Sequence, residues 1–185
     1  MTDAFHTVHE TPIGDALVVV TDAGLVALHV LDGPDDDELA SLSVLLGAVP
    51  RSDAAATAAV CEQLDEYFDG ERTDFDLAVD WRLVDGFTRA ALQAVREIPY
   101  GQTASYGEVA IMAGSPGAHR AAGSACAKTP ISIVVPAHRV VRSDGSIGEY
   151  GGHPEIKRFL LDLEARVAEA KVATPPVEAQ TSGGE

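Results

Sequence analysis

The sequence predicts an α+β protein, a small N-terminal sheet-plus-helix domain followed by a mostly helical C-terminal domain with a helix-turn-helix. Three observations carry this expectation. The first thirty residues read as short apolar strands broken by turn residues, apolar positions beyond residue 54 recur at helical spacing, and two short helical segments flank Gly114. A chain of 185 residues that is 46% hydrophobic can bury a substantial core, which excludes wholesale disorder.

Taken in order, "FHTVHE" (5–10), "ALVVV" (16–20) and "LVALHVL" (25–31) are the strands, the last two joined by a turn at "TDAG". "DGPDDDE" (32–38) reads as a solvated acidic loop without metal-loop spacing. A helix near 54–68 places Val60, Cys61, Leu64, Tyr67 and Phe68 on one face, which makes Cys61 a buried structural thiol. "DGERTDFDLAVDW" is a polar turn leading into a short extended segment, and the first unit is expected to span residues 1–82.

The second unit, 83–171, opens with "GFTRAALQAVREI", whose Phe87, Ala91, Ala94, Val95 and Ile98 form a helical apolar stripe stopped by "PYGQT". Ser105 and Glu108 then form a capping box for a helix that ends near Met112 or Ala113 with Gly114 left-handed. Ser115 is expected as the next N-cap, with Pro116 at the first helical position. The helix that follows is covered in small residues, with only His119 and Arg120 projecting. Two short helices across a glycine turn fit a helix-turn-helix or a plain helical hairpin. A smooth surface with one arginine suits a narrow minor groove better than a major groove.

"ISIVV" (131–135) reads as a buried strand, with Pro136 and Ala137 at its tip. "RSDGSIGEYGG" is a glycine-rich loop around Tyr150. "HPEIKRFLLDLEARVAEAK" is an amphipathic helix with Ile156, Phe159, Leu160, Leu163 and Val167 inward and Glu164 at the margin. Residues 172–185 are expected to be a disordered tail.

The net charge of −16 argues against a nucleic-acid partner until its distribution is considered. Residues 81–143 carry seven bases against three acids, whereas every other stretch is acidic. Lysine is scarce and aspartate abundant, a composition that suits a very salty cytoplasm as well as an ordinary acidic protein. Two cysteines, Cys61 and Cys126, are too few for a disulfide framework or a zinc site. No basic leader opens the chain and no apolar run could span a bilayer, so a cytoplasmic protein is expected.

"IPYGQTASYGEVA", "HRAAGSACAKTPISIVVPAHRVVRSDGSIGEYGG" and "KRFLLDLE" together resemble the O6-alkylguanine-DNA alkyltransferase family. "TPIG" and the helix ending in "YFDG" resemble its N-terminal, ribonuclease-H-like domain. The resemblance implies a monomer that acts on alkylated guanine in double-stranded DNA without a cofactor; some relatives bind zinc in the N-terminal domain, but no Cys and His ligand set is visible in this sequence, so no metal is expected. A cysteine in a Pro-Cys-His-Arg motif would take the alkyl group irreversibly, as a thiolate assisted by His138 and Glu164. By the same resemblance Arg120 fills the space of the flipped nucleotide and Tyr106 turns the base out. Ser105, Ala118 and Gly123 lie on the DNA-facing surface, and Val135, Pro136, Tyr150 and Gly151 form the alkyl-base pocket.

The departure falls at the centre: Ala137 stands at the nucleophile position, and a methyl group has no lone pair with which to displace anything. Thr129 replaces the asparagine usual before the strand, and Cys126, eleven residues upstream of Ala137, is no substitute nucleophile. Three readings remain open. The chain resembles the alkyltransferase-like proteins, which bind alkylated DNA without repairing it and pass the lesion to other machinery such as nucleotide-excision repair. Alternatively it is a suicide methyltransferase whose cysteine was replaced, or a degenerate interaction module without DNA affinity. With no thiol left to serve, His138 and Glu164 fit a structural pair as well as a proton relay, and Arg139 is expected to bond the backbone nearby.

Overall fold

The computed structural model describes residues 3–148 and 150–173. Three antiparallel strands, β1 (Ala4–Thr11), β2 (Gly14–Thr21) and β3 (Gly24–Val30), form the N-terminal sheet, as the alternation predicts. A two-residue strand β4 (Arg51–Ser52) adds parallel to β1, giving the order β3-β2-β1-β4. The β2–β3 turn requires glycine: Gly24 has φ +126°, and a Cβ there would lie 2.3 Å from the Ala78 carbonyl oxygen.

β2 is buried on both faces, and its period of two divides the interior. Ala16, Val18 and Val20 face the larger core with Leu64 and Tyr67, whereas Leu17 and Val19 face a smaller one with Val26, Ala27 and Leu42. Leu42 belongs to helix α1 (Asp36–Leu46). The expected acidic loop therefore ends early, because Asp36, Asp37 and Glu38 form the first turn of α1, where negative charge opposes the helix dipole favourably. Helix α2 (Ala54–Phe68) has the predicted span, capped by the Asp53 carboxylate, which accepts from the amides of Ala55 and Ala56. Cys61 is half-buried rather than buried, at the flank of that helix.

Beyond a short 3-10 turn (Trp81–Leu83), helix α3 (Gly86–Arg96) buries Ala91, Leu92, Ala94 and Val95 against the larger core. Strand β5 (Ala104–Ser105) pairs in parallel with β6 (Val140–Val141). Helix α4 (Tyr106–Met112) begins at the predicted capping box: the Ser105 hydroxyl accepts from the Glu108 amide while the Glu108 carboxylate accepts from the Ser105 amide. Gly114 follows with φ +74°.

Helix α5 starts at His119 and ends at Ala127, later than the sequence suggests. Its N-cap is Ala118, not Ser115, because Gly117 turns left-handed at φ +88° and breaks the helical path that Pro116 would have opened. Ser115 instead accepts the Ala118 amide through its carbonyl, closing a turn.

The expected strand at 131–135 is also corrected: the segment is a chain of tight turns with Ile133 at φ +67°. Ile131, Ile133, Val134 and Val135 are buried, and periodicity cannot tell such a run from a strand. Its amides close local turns, Val134 to Ser132 and Val135 to Ile131, and a single bridge joins Ile131 to Leu28 of β3.

Helix α6 (Pro154–Ala173) keeps the predicted amphipathic character but is rotated. Phe159 is exposed, while Lys157 is fully buried with Leu160, Leu163 and Glu164. Val172 and Ala173, expected in the tail, continue this helix; the rest of that tail lies outside the described residues. No described helix is long and apolar enough to cross a membrane.

Candidate functional site

Ala137 opens a 3-10 turn, Ala137–Arg139, set between the turn segment and β6, so the three side chains of "AHR" leave the backbone where α2, α3 and α6 converge. All three are buried, Ala137 at 2% exposure and His138 at 0%. The centre of the site is the Glu164 carboxylate. Its Oε1 accepts from His138 Nε2 at 2.7 Å, the Tyr67 hydroxyl at 2.8 Å and the Arg139 guanidinium at 3.0 Å. Its Oε2 accepts from Arg139 Nε at 2.9 Å and the Gly101 amide at 3.0 Å. Arg139 also donates to the Ile98 carbonyl at 2.6 Å, the backbone bond expected of it, and lies over the Tyr100 ring.

Burial alone would push the Glu164 carboxyl up, but the hydrogen bonds and charge of His138 and Arg139 outweigh it and hold the group ionised at about 2. Burial drives the His138 imidazole the other way, well below its ordinary value despite the carboxylate beside it. His138 is therefore neutral at neutral pH. Since Nε2 faces an ionised acceptor, the proton sits on Nε2, and Nδ1 is a buried lone pair with no hydrogen-bond partner among the described residues. Burial also raises the Tyr67 hydroxyl far above the ordinary range, so it remains a donor. The pairing is complete around the acid and open on one nitrogen of the base. The side chain at 137 is a methyl, which offers no nucleophile at that position.

Of the residues the sequence singles out, His138 and Glu164 are in contact, and Ala137 directly precedes His138 in the chain. Tyr67 and the Gly101 amide were not legible. Tyr67 reads as one more apolar position of α2, and nothing local marks its partner 97 residues away. Lys157 was missed too. Its ammonium donates to the Val140 carbonyl and lies 5.9 Å from the Tyr106 ring centre; burial lowers it to about 8.

The helix-turn-helix residues lie on one side of the C-terminal half. Tyr106, at the first position of α4, packs against α5 where Gly123 leaves room; a Cβ there would sit 3.8 Å from the ring. Arg120 is exposed on α5, with no ion pair among the described residues, and Ala118 is partly exposed just ahead of it. Ser105 is engaged as the N-cap.

The four expected pocket residues are divided. Tyr150 and Gly151 line a cavity of about 250 Å³ with Cys126, Lys128 and Ser132, whereas Pro136 lines a second, of about 570 Å³, with Trp81, Arg96 and Arg139; Val135 lines neither. Burial pushes the Cys126 thiol up to about 11, which disfavours the thiolate a nucleophile requires. Among the described residues no group of His, Cys, Asp and Glu could hold a metal ion.

Comparison with known proteins agrees with this architecture. Residues 4–81 match the family model of the ribonuclease-like domain of 6-O-methylguanine DNA methyltransferase, and residues 86–166 match that of its DNA binding domain. A methylated-DNA–protein-cysteine methyltransferase of Mycolicibacterium paratuberculosis is 47% identical over 123 residues, 66% of this chain and 72% of that protein. One from Methanosarcina barkeri is 36% identical over 160 residues, 86% of this chain and 96% of that protein. The crystal structure of Mycobacterium tuberculosis O6-methylguanine methyltransferase superposes with a TM-score of 0.75 at 33% identity, covering 96% of this chain and 97% of that one. The mycobacterial protein in complex with DNA gives 0.73 at 34% identity, covering 89% and 94%. Likeness across both halves, in sequence and in fold, makes this chain a member of the 6-O-methylguanine DNA methyltransferase family.

Proposed function

We propose that this protein recognises O6-alkylguanine in duplex DNA through the minor groove, flips the base, and does not accept the alkyl group. One observation carries the reading: a buried methyl, Ala137, occupies the acceptor position beside an intact His138–Glu164–Arg139 network. Family membership and the DNA complex of a relative support binding to DNA. On α5 the small-residue surface admits close approach, and Arg120 is the exposed cation able to fill the place of an extruded base, with Tyr106, Ser105, Ala118 and Gly123 around it. Tyr150 and Gly151 belong to the wall that receives the base, on the cavity they share with Cys126 and Ser132. The protein acts as a monomer in the cytoplasm, in two domains divided near residue 82, and marks the lesion for nucleotide-excision repair.

The acidic composition fits a high-salt cell, where counterion release contributes little and affinity depends on shape and on the flipped base. Gel-shift measurements with methylated and unmodified duplexes across salt concentrations test the reading. Preference for the methylated duplex that persists at molar salt is expected; equal failure to bind either duplex at any salt overturns it in favour of an interaction module. A melting temperature that does not rise between low and molar KCl would remove the high-salt adaptation.

A second reading, a suicide acceptor whose cysteine has been replaced, is favoured by the completeness of the Glu164 network. Ala137→Cys is then expected to gain a methyl adduct from methylated DNA, read by mass spectrometry at residue 137. No adduct would mean that more than the sulfur has been lost, Thr129 being the first residue to revert.

A further inference from the structure

Glu164 receives donors from three parts of the chain, and one of them is unexpected. His138 and Arg139 come from the 3-10 turn and Gly101 from the loop after α3, but Tyr67 reaches in from α2, next to the N-terminal sheet. The Tyr67 hydroxyl shares Oε1 with His138 Nε2, and the two donors lie 3.5 Å apart. Its ring is fully buried among Phe68, Phe75 and Tyr100, and the shorter contact of its hydroxyl is the one to the carboxylate.

We propose that Tyr67 is a positioning residue: its hydroxyl holds the Glu164 carboxylate so that His138 keeps its proton on Nε2 and presents Nδ1 as a bare base beside position 137. The chemistry follows from the count of donors. A carboxylate oxygen that accepts a tyrosine hydroxyl has part of its charge neutralised, which makes it a weaker partner for an imidazolium and keeps the histidine neutral. The same hydroxyl fixes the carboxylate plane, because Arg139 grips both oxygens from the other side. The N-terminal half therefore contributes a side chain to the reactive network of the C-terminal half. The inference rests on His138 and Glu164 being the pair that serves the acceptor position.

Nitrogen-detected NMR of the native chain without DNA tests the proposal directly, and its outcome is independent of lesion recognition. The Nε2–H tautomer of His138 is expected at neutral pH. An Nδ1–H tautomer, or an imidazolium at neutral pH, would overturn it. In Tyr67→Phe, which keeps the ring and loses only the hydroxyl, the His138 titration is expected to move up by about one pKa unit. Phe75→Leu, which loosens the same aromatic cluster without touching Glu164, is expected to lower the melting temperature and leave that titration unmoved. Equal shifts in the two variants, or none in Tyr67→Phe, would reduce Tyr67 to a packing residue. In the Ala137→Cys background, should that variant accept methyl groups, adding Tyr67→Phe is expected to displace the acid limb of the transfer pH profile upward by about that same one unit. An unchanged profile would count against the role.

Discussion

The interior around Glu164 and the outer surface of α5 treat charge in opposite ways. Inside, one carboxylate is matched by five donors, two of them from a single guanidinium. Outside, Arg120 is exposed to solvent, with no ion pair among the described residues. A buried charge left incomplete is costly, so the interior must be finished at folding, whereas an exposed cation is free to be completed by a ligand. The contrast separates what holds this molecule together from what it can offer to DNA.

The largest expected effect breaks the interior. Glu164→Ala strands Arg139 and His138 in a dry core and is expected to cost about 3 to 5 kcal/mol of stability, read by denaturant unfolding. Acid tests the same network. The folded Glu164 carboxyl, at about 2, lies below its ordinary value of 4.5, so its contribution is present above pH 4.5 and lost as pH falls toward 2. That loss is about 3 kcal/mol, measured as midpoint denaturant concentration against pH. His138 adds an earlier decline: its folded value lies below 6.5, so the unfolded chain binds the proton first and stability begins to fall as pH drops through 6.5. Glu164→Gln should shrink the decline between pH 4.5 and 2, leaving the part that belongs to the exposed carboxylates of Glu108, Asp144 and Glu155, which are also held low.

The surface predictions are smaller. Arg120→Ala is expected to weaken binding to methylated duplex by roughly 1 to 3 kcal/mol without changing stability. An unchanged dissociation constant would deny the arginine its place in the vacated base position. Ser105→Ala removes one half of the capping box and is expected to cost about 1 kcal/mol of stability, seen as a modest fall in melting temperature. If that variant also loses lesion affinity beyond this amount, the first turn of α4 contributes to the DNA surface as well as to the fold.

Local chemistry made much of this readable in advance. Strands β1 to β3 follow from alternation and turn residues, α2 and α3 from their apolar stripes, and the start of α4 from Ser105 and Glu108 alone. Misreadings arose where long-range packing decides. The apolar run 131–135 folds into turns because it is enclosed on every side, and α6 rotates so that Lys157 can meet the Val140 carbonyl while Phe159 faces water. At the site, His138 and Glu164 could be named through family likeness, but the donor from Tyr67 could not, since a tyrosine on an apolar helix face carries no mark of a carboxylate so distant in the chain.

Strand β3 forms one margin of the N-terminal sheet, and its main chain is occupied along that margin by other parts of the molecule. Leu25 exchanges bonds with Ala78 and Asp80, and Leu28 with Pro130 and Ser132. A margin left bare would template pairing with a neighbouring molecule. The segment leading to Ala137 thus also serves as a seal, and fragments ending before residue 130 would expose adhesive backbone and self-associate.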